Sequence, residues 1–559
     1  MVFKNRCLMP PGLSRAWLLL LVMDVGVGQA QPPASSIRFE DRTQEFQLAF
    51  EHHNGSSGRR YLMEAMGAGV ACFDADNDGW LDIYLLNGAA LPGTQYTSPP
   101  TNALFRNLRG KKFAEVTRVA RCQDFAFGLG VVAADYDNDG FVDLYITNFG
   151  PNRLLHNNGD GTFADVTDSA SVADGSKFSA GATFVDIDQD GNLDLFSANY
   201  VEFSYAQHDK LAPAAYPYAP GPHDFPPAAD TLYLNQGDGT FADISTGSGV
   251  ASIAGPSMGV IAGDFDGDGD SDIFVACDGA PNLYFVNDGQ GKFTEQALFF
   301  GLAYDLRGNA NGNMGVEAAD LDGDELEDLF VTNYADQLPT LFKNTGLGVF
   351  QDVTRISQIS SEVFPHVTWG AGLVDFDSDG DRDVFICSGH LLENAKQLSP
   401  ETDYGVPNTV MENLGGNTYR SVTAAVGSAL TQALSSRGAV FDDLDNDGDI
   451  DCVVLNCAAS AQLLINTTKS LNHWIEIELR GRHCNRDAIG SQVRIRSGKT
   501  TQVAEVHNGR GYQSQYGQRL HFGLGQAASI DWLEIVWAGG DIQVLERVTA
   551  DRILTIVQP

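Results

Sequence analysis

The sequence lacks an apolar run long enough to form a transmembrane helix. The one short candidate, AWLLLLVM at 16–23, follows a basic segment and precedes small residues at Gly28 and Ala30. A transmembrane helix needs about 20 apolar residues, so this arrangement is typical of a secretory signal. We therefore predict a signal peptide at 1–30, no transmembrane segment, and a secreted protein, extracellular or periplasmic.

Basic residues are scarce, since 35 Lys and Arg stand against 73 Asp and Glu, giving a net charge of -38. Such a field repels phosphate backbones and anionic lipids, so nucleic acid is not an expected partner. The excess is confined to the first part of the chain, because residues 470–559 hold ten basic and nine acidic residues. Acidity of this kind is either a solvated surface or a set of cation sites, and clustering of the acids distinguishes them.

Cysteine is also sparse, with eight residues and no C-x-x-C spacing, so neither a zinc site nor a redox dithiol is indicated. Removal of the signal peptide leaves seven cysteines. An odd number allows one or two disulfides in an oxidising compartment but leaves at least one thiol free or intermolecular. Enzyme signatures are missing too: the sequence has no nucleophile elbow, P-loop or dinucleotide fingerprint.

The acids do cluster, because the pattern D-x-D-x-D-x-x-x-D recurs seven times, with Asp at positions 1, 3, 5 and 9. Position 6 is Gly in six copies and Glu325 in the fifth. Matched spacings of this kind mark an internal repeat. We number the loops 1 to 7 in chain order. Their carboxylates are Asp74, Asp76, Asp78 and Asp82; Asp135, Asp137, Asp139 and Asp143; Asp186, Asp188, Asp190 and Asp194; Asp264, Asp266, Asp268 and Asp272; Asp320, Asp322, Asp324 and Asp328; Asp375, Asp377, Asp379 and Asp383; Asp443, Asp445, Asp447 and Asp451.

The residues around each loop repeat as well. A Gly stands five residues before every first Asp, and short apolar, β-branched runs flank the loop, so each loop joins two strands. A second hairpin follows, L-x-x-N-x-G-x-G-x-F-x-D-V-T, as at Leu154–Thr167. Its last element also occurs alone at Phe39–Thr43, whereas the final unit stops at Leu464–Asn466 without one. These complementary ends predict an all-β, seven-bladed β-propeller over 36–467, closed by both termini.

Alternating carboxylates followed by a Gly turn are suited to calcium, which takes about 6–8 oxygen ligands. An EF-hand is excluded, because position 12 is apolar or Ser in every copy and never the closing Glu. One copy alone reads equally well as an Asp/Gly turn, but seven copies without a cation are electrostatically untenable. We therefore expect up to seven Ca²⁺ ions with a structural role, and Mg²⁺ as the weaker alternative. Glu325 makes the fifth site doubtful.

Composition changes near residue 470, where alternating strands with Gly turns predict a small β-sandwich over 471–559. Here the residues carry a family resemblance: the loops are similar to FG-GAP/VCBS repeats, also found in integrin α-chain propellers. The tail, with NHWIEIELRGRHCNRDAIGSQVRI at 472–495, HNGRGYQSQYGQRLHFGLG at 507–525 and IDWLEIVWAGG at 530–540, resembles the ASPIC/UnbV domain. The combination resembles the cartilage acidic protein family and its bacterial homologues. The resemblance implies an extracellular calcium-binding protein, in adhesion or matrix contexts for animal members.

Three further groups of residues are candidates for binding or acid–base work, each with a plainer alternative. A His–Glu pair is possible in the sixth unit, although a loop histidine bonded to backbone is the favoured explanation. A polar-aromatic cluster in the tail reads either as a ligand contact or as a turn network. The Pro- and Tyr-rich insertion at 201–230 suits a binding loop or a disordered insert. In order, the residues are His366, His390 and Glu393; Arg510, Tyr512, Gln515 and His521; Tyr216, Tyr218, His223 and Phe225.

Two functions remain open at this point. The first is a calcium-stabilised binding, adhesion or scaffold module that engages an extracellular protein or glycan. Asn54 and Asn466 would then be glycosylation acceptors in a eukaryotic host. The alternative is an enzyme of a secondary-metabolite or extracellular pathway that uses the central propeller pocket. A deep central pocket lined by titratable groups would favour the enzyme.

Overall fold

The structure is a computed structural model that describes residues 35–212, 219–359, 361–416 and 418–559. The predicted signal peptide lies outside the described residues. Ser35–Pro559 forms one compact unit. Among the described residues, no helix is both long and apolar enough to cross a bilayer.

Seven four-stranded antiparallel sheets form the blades, and each acidic loop joins the first two strands of its blade. We number the blades by their loops and letter the strands A to D from the axis outward. The strands are Val70–Phe73, Asp82–Leu85, Ala103–Asn107 and Phe113–Glu115 (blade 1); Phe127–Ala134, Asp143–Phe149, Arg153–Asn157 and Phe163–Asp165 (blade 2); Ser179–Val185, Asp194–Asn199, Thr231–Asn235 and Phe241–Asp243 (blade 3); Ser257–Gly263, Asp272–Cys277, Leu283–Val286 and Thr294–Glu295 (blade 4); Asn313–Ala319, Asp328–Asn333, Thr340–Asn344 and Phe350–Asp352 (blade 5); Thr368–Val374, Asp383–Ser388, Thr409–Asn413 and Tyr419–Ser421 (blade 6); Ser436–Asp442, Asp451–Asn456, Gln462–Asn466 and Phe39–Asp41 (blade 7).

Blade 7 closes the ring with strands from both ends of the propeller. Its outer strand Phe39–Asp41 pairs antiparallel with Gln462–Asn466, so that Phe39 faces Asn466. The A strands of consecutive blades contact each other around the whole ring, including those of blades 7 and 1. The all-β, seven-bladed propeller predicted from the repeat is therefore confirmed, together with its mode of closure.

The Gly that precedes each loop by five residues lies where neighbouring A strands meet. A Cβ at Gly130 would lie 2.3 Å from the carbonyl oxygen of Ala180, and one at Gly315 would lie 2.6 Å from that of Trp369. Any larger residue would push the two strands apart, because Cβ atoms do not approach oxygen so closely. These glycines therefore allow the inner strands to pack closely around the axis.

Short helices and one small sheet complete the propeller. The α-helices are Leu62–Met66, Thr117–Ala120, Thr167–Ala170, Tyr205–Leu211, Ser245–Ser248, Ala297–Phe300, Thr354–Ser357 and Ala395–Leu398. The 3₁₀-helices are Pro222–Asp224, Val250–Ser252, Ser361–Val363 and Ser428–Thr431. Ala228–Ala229 pairs with Ala254–Gly255 beside the insertion.

The C-terminal region forms the predicted β-sandwich, with a core that includes Ile475, Val493, Leu533 and Trp537. Two sheets face each other, of three and four strands. The first contains Arg519–Gly525, His473–Arg480 and Ile553–Val557, and the second contains Thr500–Glu505, Gln492–Ser497, Ser529–Val536 and Ile542–Thr549. The pair His473–Arg480 and Ile553–Val557 is parallel, and the other strand pairs of the sandwich are antiparallel.

Between two sandwich strands, residues 506–518 leave the sandwich and run down the propeller axis. This axial segment contacts the A strand of every blade. Its carbonyl oxygens at Gln513 and Gln515 accept hydrogen bonds from Val131 N–H at 3.1 Å and Cys72 N–H at 2.9 Å. A Cβ at Gly69 would lie 1.6 Å from the Gln513 oxygen, so this glycine makes room for the segment. The sequence did not predict this contact between the two regions.

Candidate metal centres and central cavity

The acidic loops share one hydrogen-bonding pattern that fixes their carboxylates. In loop 1, Asp74 accepts hydrogen bonds from the N–H groups of Asp78 at 3.1 Å and Gly79 at 2.8 Å. Asp82, at position 9, accepts from Ala75 N–H at 3.2 Å and Asn107 N–H at 2.7 Å. The backbone therefore holds positions 1 and 9 in place before any ion arrives, and the bond from position 6 to position 1 recurs in all seven loops.

The predicted ligands converge in space. Oxygen atoms of Asp74, Asp76 and Asp78 lie within 4.8 Å of one another, and so do those of Asp186, Asp188 and Asp194. Further groups of this kind occur in other loops, including one from Asp264, Asp266 and Asp268. The position-9 aspartates are buried in all loops, with exposed fractions of 0–2%. In these loops the structure therefore brings three of the four predicted carboxylates close together.

Such crowding is unfavourable for ionised carboxylates. Burial, with repulsion from Asp188 and Asp186, raises the pKa of Asp194 to about 8. Burial and the neighbouring Asp266 and Asp270 likewise raise the pKa of Asp272 to about 8. A cation between the carboxylates would offset both contributions.

Several buried oxygens in the loops also lack a hydrogen-bond donor. They include the Oδ1 atoms of Asp76, Asp188, Asp270 and Asp445, in loops 1, 3, 4 and 7, and the Oδ2 atom of Asp328 in loop 5. Buried acceptors of this kind are rare unless a water or an ion satisfies them. Hard carboxylate oxygens with backbone carbonyls are the donor set that Ca²⁺ prefers, so the residues fit that ion. Positions 1, 3, 5 and 9 would hold it.

Two sets of amides connect the loops to each other, and sequence reasoning missed them. In blade 3, Asn235 Nδ2 donates to Leu193 O at 3.0 Å in its own loop and to Tyr136 O at 2.9 Å in the preceding loop. Position-4 side chains reach forward: Asn138 Nδ2 donates to Gly191 O at 3.0 Å. The Asn of the repeated L-x-x-N phrase was the available signal. The equivalent residues, one at the end of strand C in each blade and called the blade asparagines below, are Asn107, Asn157, Asn235, Asn287, Asn344, Asn413 and Asn466.

Asn466 belongs to this set, which contradicts its assignment as a glycosylation acceptor. Its side chain is 2% exposed and Nδ2 donates to Phe376 O at 2.9 Å. A glycan at that nitrogen would require blade 7 to open. Asn54 is half-buried, and its Nδ2 donates to Glu64 O at 2.9 Å.

Basic side chains enter three of the loops. Arg106 pairs with Asp76 and lies 3.8 Å from Asp78, and Lys343 pairs with Asp322 and lies 2.8 Å from Asp324. His156 Nδ1 lies 3.2 Å from an oxygen of Asp143 and 3.3 Å from one of Asp137. Each of these residues directly precedes the blade asparagine on strand C.

The doubtful fifth loop keeps the backbone geometry of the others. Glu325 has φ +68°, in the left-handed region where the corresponding glycines also lie, such as Gly140 at +97°. Its carboxylate lies 3.0 Å from Arg494 Nε of the sandwich. Glu325 therefore adopts a backbone conformation that favours glycine, and its side chain forms an ion pair between the propeller and the sandwich.

The possible His–Glu pair does not form, and His390 is bonded to the backbone, as the plainer alternative expected. His390 Nδ1 accepts a hydrogen bond from Leu392 N–H at 3.0 Å, and burial lowers its pKa to about 4. His366 Nδ1 lies 3.0 Å from Thr402 Oγ1. Among the described residues no ion pair joins His390 to Glu393. The cysteines are free thiols, six buried and Cys484 half-buried, so no disulfide forms in the described part of the chain.

The polar-aromatic cluster of the tail belongs to the axial segment and its junction with the sandwich. Arg510 pairs with the buried Glu317 of blade 5 at 2.8 Å, and Tyr512 OH donates to Met66 O at 3.1 Å. Gln515 Oε1 accepts from Gly509 N–H at 2.6 Å, and His521 Nε2 lies 3.1 Å from Gly448 O. These contacts are internal, which matches the turn-network alternative.

A cavity of about 770 Å³ opens at the other end of the A strands from the acidic loops. Met258, Met314 and Trp369, near the starts of three A strands, contribute its apolar wall. Tyr200 OH donates to Asp278 Oδ2 at 2.6 Å on another side. The insertion supplies His223 at the cavity, while Phe225 is buried nearby in the core; Tyr216 and Tyr218 lie outside the described residues.

Comparison with known families decides the affiliation of this architecture. The FG-GAP-like repeat model matches residues 74–146, 135–197, 225–275, 264–331 and 320–386. The chain belongs to the FG-GAP-like repeat family. The ASPIC and UnbV model matches 481–559, which lies within the sandwich and includes the axial segment.

The chain is also similar, at low identity, to named relatives and to solved structures. The chain is 24% identical to cartilage acidic protein 1 of Mus musculus over 524 residues, covering 88% of this chain and 73% of the relative. It is 25% identical to the Homo sapiens protein over 508 residues, covering 84% and 69%. An Agrocybe aegerita lectin that recognises non-reducing terminal N-acetylglucosamine is similar with a TM-score of 0.40 and 16% identity, covering 70% of this chain and 87% of the lectin.

Proposed function

We propose that this FG-GAP repeat protein is a secreted calcium-binding propeller that serves as an extracellular binding, adhesion or scaffold module. The observation that carries the proposal is the loop geometry: backbone N–H groups fix carboxylates around a common centre, and buried oxygens such as Asp188 Oδ1 lack a donor. Ca²⁺ bound there supplies positive charge and fills those acceptors. The relationship to cartilage acidic protein 1 supports the extracellular assignment.

The ions would act on the fold more than on a partner. The loops share one rim of the propeller and are joined by amide bridges, so an ion in one loop also fixes its neighbours. Metal binding to the folded state alone stabilises that state by mass action. We therefore expect the melting temperature of the full chain to fall when a chelator removes calcium. Equal melting temperatures with chelator and with calcium would contradict this role.

The binding role is tested separately with an array of glycans and extracellular proteins, probed with and without calcium. We expect a protein or glycan partner whose binding weakens in chelator, because the scaffold loosens. A partner that binds equally under both conditions would restrict calcium to a structural role.

The central cavity supports a second candidate, an enzyme or small-ligand receptor. Its volume suits an organic molecule, and one of its walls carries Asp278, whose pKa is raised by burial to about 6. A carboxyl group with such a pKa is suited to proton transfer near neutral pH. A thermal-shift screen of small molecules tests this, with Asp278→Asn as the variant. A hit that shifts wild type and variant equally would place the ligand elsewhere.

A further inference from the structure

The residue before the blade asparagine on strand C differs among the seven blades, and in some blades its side chain contacts the acidic loop. It is Arg106 in blade 1 and Lys343 in blade 5, whose cationic groups contact the carboxylates of positions 3 and 5. In blades 3, 4 and 7 the same position holds an apolar side chain, Leu234, Val286 or Ile465. The repeat thus contains both classes of loop within one chain.

Blade 6 also lacks a basic side chain at this position, so its loop belongs to the class without a counter-ion. Its residue at this position is Glu412, whose carboxylate accepts a hydrogen bond from Arg420 Nε at 3.1 Å across the sheet. No basic side chain of the described residues forms an ion pair with an aspartate of loop 3, 4, 6 or 7. Loop 2 is contacted by His156. An imidazole can be protonated and act as a cation, or stay neutral and offer a nitrogen lone pair to a metal ion, so loop 2 falls in neither class.

We propose that Arg106 and Lys343 are built-in counter-ions that occupy loops 1 and 5, so that these loops hold calcium weakly while loops 3, 4, 6 and 7 bind it tightly. This inference rests on the proposed calcium-binding function and divides its sites. A guanidinium or ammonium group at the position-3 carboxylate stands where an ion would be coordinated. Calcium must displace this cationic group from the carboxylate. The displaced group then lies close to the divalent ion and is repelled by it, which weakens calcium binding.

Ion pairs at position 3 distinguish the two classes of loop. In loops 1 and 5, Asp76 and Asp322 form ion pairs with Arg106 and Lys343. Buried Oδ1 atoms without a hydrogen-bond donor occur in both classes, at Asp76 in loop 1 and at Asp188 and Asp445 in loops 3 and 7, so both classes keep acceptors for an ion. The division therefore rests on the cationic side chain that calcium meets in loops 1 and 5.

The test counts tight calcium sites in the full chain by titration calorimetry after chelator treatment. The double variant Arg106→Leu, Lys343→Leu introduces the residue type of blade 3, and we expect two more tight sites than in wild type. The reverse variant Val286→Lys should lose one site. Arg153→Leu is the matched control, because Arg153 also lies on strand C but pairs with Asp124 and Asp165, outside the loops. It should leave the count unchanged.

A second measurement, the melting temperature in chelator, separates this inference from the proposed function. We expect the double variant to melt below wild type without calcium, because two loops lose their counter-ions, and added calcium to reverse the difference. Equal site counts in wild type and double variant would overturn the division. If no loop binds calcium, the proposed function fails and the division of calcium affinities fails with it; a double variant that still melts lower in chelator would then show only that Arg106 and Lys343 act as counter-ions.

Discussion

Asp230 shows how one buried carboxyl group between two blades affects stability. Its Oδ1 accepts from Asn199 N–H at 2.8 Å in blade 3, and its Oδ2 accepts from Ser257 Oγ at 3.0 Å in blade 4. The side chain is 1% exposed, and burial raises its pKa to about 7. The folded protein therefore binds a proton at this site more tightly than the unfolded chain does.

The sign of the resulting pH dependence follows from linkage. The stabilisation from the protonated carboxyl is fully present below the ordinary aspartate pKa of about 4 and is lost as pH rises to about 7, at about 1.4 kcal/mol per pH unit. Asp230→Asn does not titrate; its Oδ1 keeps the acceptor role toward Asn199 N–H, and its Nδ2 donates to Ser257 Oγ in place of the oxygen that accepted from it. We expect this variant to gain stability relative to wild type between pH 5 and pH 7, measured by denaturant unfolding.

The matched control for that experiment is Asp168→Asn, since Asp168 is exposed on the helix Thr167–Ala170. This variant should follow wild type at both pH values. A constant difference in unfolding free energy between Asp230→Asn and wild type from pH 5 to pH 7 would show that Asp230 stays ionised in the folded protein.

Single residues were the least predictable part of the sequence. The spacing of the aspartates placed the ligands together because loop geometry depends on local backbone. Asn466 was misassigned, because an N-x-T sequon contains no information on burial. Arg494 and Glu325 meet only after the sandwich docks, so the sequence pattern offered no sign of that pair.

At the scale of elements, the amide bridges join each blade to the preceding loop. Asn235→Ala removes hydrogen bonds to Leu193 O and Tyr136 O and leaves two buried acceptors without these donors. Each such loss costs about 1–3 kcal/mol, so we expect the two together to destabilise the protein by about 2–6 kcal/mol. Chemical denaturation of the calcium-loaded protein measures it.

Asn158→Ala provides the control for this element, because Asn158 follows the asparagine of blade 2 but is exposed, and its side-chain Nδ2 donates to Thr162 Oγ1 within the same hairpin. Its unfolding free energy should change by less than about 0.5 kcal/mol. Equal effects of the two substitutions would mean that the bridges between blades contribute nothing beyond a surface amide.

Blades were predictable as elements because each repeats the same local signals of Gly, apolar run, acidic loop and second hairpin. Closure by Phe39–Asp41 was predictable for the same reason, since the missing strand of the last unit matched the extra strand of the first. The axial segment was not, because its partners are scattered over all seven blades and leave no period in the sequence.

For the whole molecule, the axial segment makes the stability of the sandwich depend on the propeller. Arg510 of this segment pairs with Glu317, which is fully buried, and its guanidinium lies 4.6 Å from the centre of the Tyr516 ring. The segment's main chain completes hydrogen bonds of several inner strands. Separation of the propeller from the sandwich would expose the Arg510–Glu317 pair and these main-chain groups to water together. The two regions therefore share one buried interface along the axis.

We therefore expect the two regions to unfold in one calorimetric transition. Arg510→Met should lower that single transition, because it leaves the buried Glu317 carboxylate without its counter-ion, a loss of about 3–5 kcal/mol. Arg552→Met, at an exposed arginine of the sandwich, should leave the transition in place. Two separated transitions in wild type, or a shift of only one part of the endotherm in Arg510→Met, would mean that the axial segment docks without coupling the regions. A single transition that moves as a whole would show that the two regions unfold together, because the substitution removes a contact between the axial segment and one blade and the loss then lowers the stability of both regions.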